Sequence, residues 1–375
     1  MSLTPTTSQP QNHFFDDIVA LILESDDHWW PRDLCRLARV SRAWLHLAQR
    51  RLYSHPSLYS FKACRQLSHT LQHTPCLRTL VHGLELSPYP SKTTTPEDLS
   101  ALRYLLSLPG LQKLSFGGEL AYEAGRFFRL LSSSESIAEL TVDGTLLADK
   151  LNFPASLEWD DFMAMRFPKL QTLRLSHLEL DVLDVSPPPF RLRKLVLDNV
   201  HVVGESIIPL LDSSTPLHLS IRMSGDWDWA PDEIHSVLEH CTLESFRLEA
   251  RGITSQWQGF FDENLPPCPS LQTLIIDDVY LDVDNLMSIS EQCPRLQTLG
   301  IFGRVVRVSA GQWTDLISSG ALPRLLSLSL PSYTYQPPVV PWTDAHASQI
   351  REACASRGVA ITSGISSRLC PILLR

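Results

Sequence analysis

The first thing missing from this 375-residue chain is a long apolar run. The longest near the N-terminus, Ile18 to Leu23, is six residues and is bracketed by acids. Neither a signal peptide nor a membrane span is expected from it. Positive charge is also scarce, with 32 Lys and Arg against 41 Asp and Glu and a formal net charge of −9. That balance argues against a protein that wraps nucleic acid. The eight cysteines, at 35, 64, 76, 241, 268, 293, 354 and 370, form no CxxC pair. Reduced, mostly buried thiols and a cytoplasmic or nuclear location are the expectation. Motifs that carry chemistry are absent too: no GxSxG, GxGxxG, Walker loop or HExxH occurs. His235, His240 and Cys241 lack a second ligand pair at metal spacing, and Asp277, Asp278, Asp282 and Asp284 lack the glycine and terminal glutamate of a calcium loop. No enzyme, metal or other cofactor is expected.

What the chain does have is 43% hydrophobic and 19% charged residues, a folding composition. Residues 1–12, rich in Ser, Thr, Pro and Gln, read as a disordered lead-in. Residues 13–53 carry three short amphipathic helical patterns. Asp16 can cap the first, with Ile18, Val19, Leu21, Ile22 and Leu23 behind it. Pro31 suits the first position of the second, ahead of Leu34, Cys35, Leu37 and Ala38. Ser41 can cap the third, with Trp44, Leu45, Leu47, Ala48 and Leu52. Such a unit is too small to enclose a large core, so it should lean on a partner, on the rest of the chain, or on both.

A connector, 54–74, leads into a region that repeats a Leu-x-x-Leu-x-Leu phrase through residues 75–365, with 366–375 left as a tail. The phrase begins at Leu77, Leu111, Ile137, Leu170, Leu192, Leu217 (degenerate), Leu243, Leu271, Leu296 and Leu325. Successive second apolar positions lie 22 to 34 residues apart, the period range of leucine-rich repeats. Each phrase reads as a short strand whose apolar residues point one way, and stacked parallel strands can share the core that one strand cannot make. Return helices are signalled by Thr95-Pro96-Glu97-Asp98, by Pro231-Asp-Glu-Ile234 and around Asp284. The expected fold class is therefore α/β: a leucine-rich-repeat solenoid, with parallel strands on a concave face and helices outside, behind a three-helix unit.

Taken together, these features resemble the F-box proteins with leucine-rich repeats, in the style common among fungi. The match rests on Pro31-Arg-Asp-Leu34 and Leu37-Ala-Arg-Val40-Ser-Arg-Ala-Trp44, which look like that family's P-x-D-L and L-x-x-V-x-x-x-W. The family usually opens with Leu-Pro, where this chain has Phe14-Phe15. The resemblance implies a Skp-type adaptor, and through it a cullin, as partners of the N-terminal unit. It implies adaptor-facing or bracing roles for Phe14, Phe15, Ile18, Ile22, Leu23, Pro31, Leu34, Val40 and Trp44. Six arginines between residues 32 and 51, against the one acid Asp33, would suit an acidic adaptor, and equally a solvated helix face. The repeats would hold a client protein. Residues between the buried leucines, among them Arg174, Lys194, Arg222 and Arg247, would line that surface. Trp227, Trp229 and Trp257 fall in neighbouring loops, either as interface anchors or as packing residues. The alternative is a scaffold without ligase function, whose N-terminal helices only cap the solenoid.

Overall fold

The computed structural model describes residues 18, 21–23, 30–89, 94–148, 154–183, 189–203, 206–211, 216–224, 231–251, 260, 265–303, 305–335 and 339–362. Phe14, Phe15, Trp227, Trp229 and Trp257, the 1–12 lead-in and the 366–375 tail lie outside the described residues.

The strands are β1 (Ser57–Leu58), β2 (Gly83–Leu86), β3 (Lys113–Gly117), β4 (Glu139–Asp143), β5 (Ala155–Trp159), β6 (Thr172–Val182), β7 (Lys194–Val202) and β8 (Leu217–Ser224). They continue as β9 (Leu243–Arg251), β10 (Thr273–Asp277), β11 (Thr298–Phe302), β12 (Ser327–Ser329), β13 (Tyr333–Thr334), β14 (Val340–Pro341) and β15 (Ala360–Ile361). Among the described residues, thirteen of these form one sheet in the order β1-β2-β3-β4-β6-β7-β8-β9-β10-β11-β12-β15, with β5 paired to β6. Every pairing in it is parallel. This is a mixed α/β, solenoid-like architecture.

The register shows why the strands stack. Leu84, Leu114, Leu140, Leu173, Leu195, Leu219, Phe246, Leu274, Leu299 and Leu328 fall on one line across the sheet. Leu86, Phe116, Val142, Leu175, Leu197, Ile221, Leu248, Ile276 and Ile301 form a second line two residues on. All are buried. Strand side chains alternate between faces, so both lines point the same way, into one continuous core. Helices Phe61–His73, Pro96–Leu106, Pro231–His240, Val283–Gln292, Ala310–Ser319 and Asp344–Ser356 return the chain between strands, and their buried leucines and isoleucines join that core.

Capping works locally as read. The Asp98 N–H donates to Thr95 Oγ1 at 3.3 Å, and the Thr95 N–H donates to Asp98 Oδ2 at 2.9 Å. Before Val283–Gln292 the cap is Asp282, with Asp284 inside the first turn.

Three expectations need correction. Leu77-Arg-Thr-Leu80 is not the first strand; it lies in a 3-10 helix, Pro75–Leu80. The true phrase is Val81-x-x-Leu84-x-Leu86, since Leu84 pairs with Leu114. A helical turn also satisfies Leu-x-x-Leu, and valine in the first position hid the real repeat. Second, the stack starts at Ser57 rather than at 75: the 54–74 connector, whose Phe61, Leu67 and Leu71 suggest a strand and a helix, holds β1 and the helix Phe61–His73, and β1 pairs with β2. Third, β6 and β7 outrun a short repeat strand. His177 and Asn199 take positive φ, 51° and 52°, and beyond that bend β6 gains β5 as a neighbour. Asn tolerates this left-handed backbone, and hydrogen bonds to His177 at 3.3 Å and from Ser224 at 2.7 Å hold it.

Candidate functional site

Two surfaces carry the residues singled out from the sequence. The first is the N-terminal unit. Residues 18 and 21–23 are helical, followed by α1 (Pro31–Leu37) and α2 (Arg42–Ser54). Pro31 occupies the first turn of α1, where its missing N–H costs nothing. Ser41 caps α2 by accepting from the Trp44 N–H at 3.3 Å. The unit has its own small core of Leu23, Leu34 and Ala48, with Leu37, Ala38, Trp44, Leu47 and Leu52 packed around it. None of these belongs to the large core.

That arrangement sorts the predicted positions. Leu34, 4% exposed, and Leu23 brace the helices from inside, and Trp44 packs on them half-buried. Ile18, Ile22, Pro31 and Val40 face solvent, Val40 with 65% of its surface exposed. Leu21, Leu45 and Trp30 (52% exposed) join them, although the family resemblance does not place them among the adaptor-facing positions. The apolar pattern marks all these positions as helix-face candidates, but cannot tell which half of an apolar face turns inward. Arg32, Arg36, Arg39, Arg42 and Arg50 are exposed alongside. Arg32 lies over the Trp30 ring at 5.6 Å, and Arg36 sits 3.7 Å from Asp33.

The second surface is the sheet face opposite the core. Its side chains run in columns set by register, such as Ser115, Thr141, Arg174, Val196, Ser220, Arg247, Ile275 and Gly300. The next column is charged: Asp143, Ser176, Asp198, Arg222, Glu249 and Asp277. Here Arg222 donates to Glu249 Oε2 at 2.7 Å and to Asp198 Oδ2 at 2.8 Å. Arg251 also donates to Glu249, and Arg247 stands 3.8 Å from it. Glu249 is only 1% exposed. Burial opposes its charge, but Arg222, Arg251 and Arg247 outweigh that and hold its pKa below the usual range. Burial likewise opposes the Arg222 charge, and Glu249 and Asp198 more than compensate, raising its pKa. At Asp277 burial wins, aided by Asp278 and Glu249 and resisted by Arg251 and Arg247, and its pKa rises to about 6.

Of the four predicted cations, the structure therefore draws Arg222 and Arg247 together around one buried carboxylate. Arg174 and Lys194 stand apart on β6 and β7, Arg174 exposed. Among the described residues, no three of His, Cys, Asp and Glu converge as a metal site. His235 is buried, its ring 4.8 Å from that of Phe260, and His240 is exposed on the same helix. No described helix is long and apolar enough to cross a membrane. These two surfaces offer contact and charge pairing, which is the chemistry of recognition.

Set against known proteins, the chain matches no family model and no curated protein. Its class rests on architecture: an α/β protein built on one long parallel sheet, with a small helical unit at its N-terminal end.

Proposed function

We propose that this protein is the substrate-recognition subunit of a Skp/cullin/F-box-type ubiquitin ligase, with no catalytic centre of its own. In this reading the N-terminal helices are an F-box that docks a Skp-type adaptor, and the sheet is a leucine-rich-repeat arc that holds a client. The mechanism is proximity: client and conjugating machinery sit on one assembly, which raises the effective concentration of one at the other.

The supporting observation is the solvent-facing apolar surface on a unit whose core, among the described residues, is three buried side chains. Ile18, Leu21, Ile22, Trp30, Val40 and Leu45 stay exposed. Exposed apolar groups gathered on so small a unit mark a partner surface. The neighbouring exposed arginines would steer an acidic adaptor toward it.

Leu34 is a poor probe, because truncating it empties the small core. Val40→Asp and Leu21→Asp alter exposed side chains only. Coexpression of the full chain with a Skp-type adaptor should give co-purification that falls by about tenfold or more in the double variant, as loss of a central apolar contact predicts. Undiminished capture by that variant, or by a chain lacking residues 1–53, would overturn the proposal.

One observation favours the second reading, a scaffold whose helices are a cap. The end of α2 is fused to the stack: Tyr53 packs on the large core, and the His82 N–H donates to the Ser54 carbonyl at 2.9 Å. The same co-purification separates the two readings, since a cap needs no adaptor.

A further inference from the structure

A groove of about 890 Å³ runs along the edge of the sheet where the strands from β3 to β9 begin. Its base is a regular backbone ladder. The N–H groups of Ala138, Gln171, Arg193 and His218 each donate to the carbonyl one strand earlier, all at 2.8 Å. Pro168, Pro189 and Pro216 line its walls, so part of its shape is set by stiff backbone.

The charge along this groove differs from the rest of the sheet. On the strands Lys113 pairs with Glu139 at 2.8 Å, Arg222 with Asp198 and Glu249, and Arg247 and Arg251 with Glu249. In the groove Lys169 and Arg193 share the lining with Arg191, which has a partner of its own, and with a single acid, Glu244, which is turned toward His218 at 3.8 Å. Arg174 and Lys194 stand on the adjoining β6 and β7. Among the described residues no carboxylate pairs with Lys169, Arg174, Arg193 or Lys194. A protein of net charge −9 thus keeps two unpaired cations, Lys169 and Arg193, in the groove lining, with Arg174 and Lys194 on the two strands that follow them.

We infer that this groove binds an extended peptide segment rich in Asp and Glu, and that this is how the protein holds its client. The inference rests on the client-binding reading above and names the chemistry of that client. Lys169 and Arg193 lead into the neighbouring strands β6 and β7, about 5 Å apart, rather than converging on one point, which suits separate charges on an extended chain. From β3 to β9 the sheet order makes five steps, roughly 24 Å, which an extended chain of about seven residues spans. Carboxylates near the middle of that chain would meet Lys169 and Arg193 at the step from β6 to β7, and the proline walls would keep the peptide extended.

The test is fluorescence anisotropy on the purified full chain. The probe is a fluorescein-labelled peptide of alternating Glu and Ser, about ten residues long, long enough to overrun the groove. Its Lys-Ser counterpart is the control. Physiological salt is used, where screening removes interactions beyond about 8 Å. The Glu peptide should bind, the Lys peptide should not, and Lys169→Glu with Arg193→Glu should weaken binding by about tenfold or more. Both side chains are exposed, so the double variant should keep the wild-type melting curve; Lys169→Gln with Arg193→Gln is the milder version if it does not. The proposal fails if the Glu peptide does not bind, if both peptides bind alike, or if neither variant weakens binding. It also fails if a single-stranded RNA of similar length binds more tightly, since the groove would then be a nucleic-acid site. Adaptor capture measured on the same samples reports separately on the ligase reading.

Discussion

Glu249 and Asp277 face each other across β9 and β10, yet burial prevails at Asp277 and arginines prevail at Glu249, so their pKa values move in opposite directions. Glu249 gains three arginines, so its folded pKa lies below its unfolded one. Its contribution to stability is present above its ordinary pKa and is lost as pH falls through the depressed value. Asp277 is raised from 3.8 to about 6, so the folded state holds its proton more tightly than the unfolded chain does. Stability from this group therefore declines as pH rises from about 4 to about 6, and the penalty persists above. Asp277→Asn should raise the melting temperature at pH 8 and remove that decline. Glu249→Gln should lower stability by about 2–3 kcal/mol at pH 7, by loss of a buried ion pair whose partners keep some water contact. Thermal melts at pH 4, 6 and 8 check both. Part of this was legible beforehand: the repeat columns set Arg174, Arg222 and Arg247 near Asp143, Asp198, Glu249 and Asp277 on one mixed surface. The individual pairings and the burial of Glu249 were not. Only register sets Arg222 between Asp198 and Glu249.

Short-range signals were the most readable, because caps act within four residues. Thr95 and Asp98 close a capping box on Pro96–Leu106, as the Thr-Pro-Glu-Asp run indicates. The further partner of Asp98, Arg65 on Phe61–His73, was invisible, being thirty-three residues away. Burial opposes the Asp98 charge, but Thr95 and Arg65 prevail and its pKa is lowered. Thr95→Ala should therefore cost about 1 kcal/mol, and Asp98→Ala roughly 3 kcal/mol, since it also strands Arg65. Urea unfolding followed by circular dichroism distinguishes the two. Where a motif fits two elements, pattern reading failed: Leu77-x-x-Leu80 fits a strand phrase and a 3-10 turn equally. Gly118 is another silent position. It leaves β3 with φ +56, and a Cβ there would run into the Pro88 carbonyl, a constraint set by a residue one repeat earlier.

At the scale of the molecule, the two cores share no buried residue among the described residues, and the end of α2 joins them through Tyr53. A chain lacking residues 1–53 should thus keep the sheet and unfold in one transition, less stable by about 1–2 kcal/mol for the lost packing of Tyr53. Loss of the sheet's far-UV signal on that deletion would show the helices to be an obligatory cap. Periodicity was enough to establish the stack, its strand face and most of its return helices, because leucine spacing and caps are properties of a few consecutive residues. Three further features depend on side chains brought together from different repeats or different helices. These are the half of each N-terminal apolar face that stays exposed, the closing of Arg222 and Arg247 onto Glu249, and the cations left unpaired along the groove. Folding created those neighbours, so the stacked structure alone revealed them.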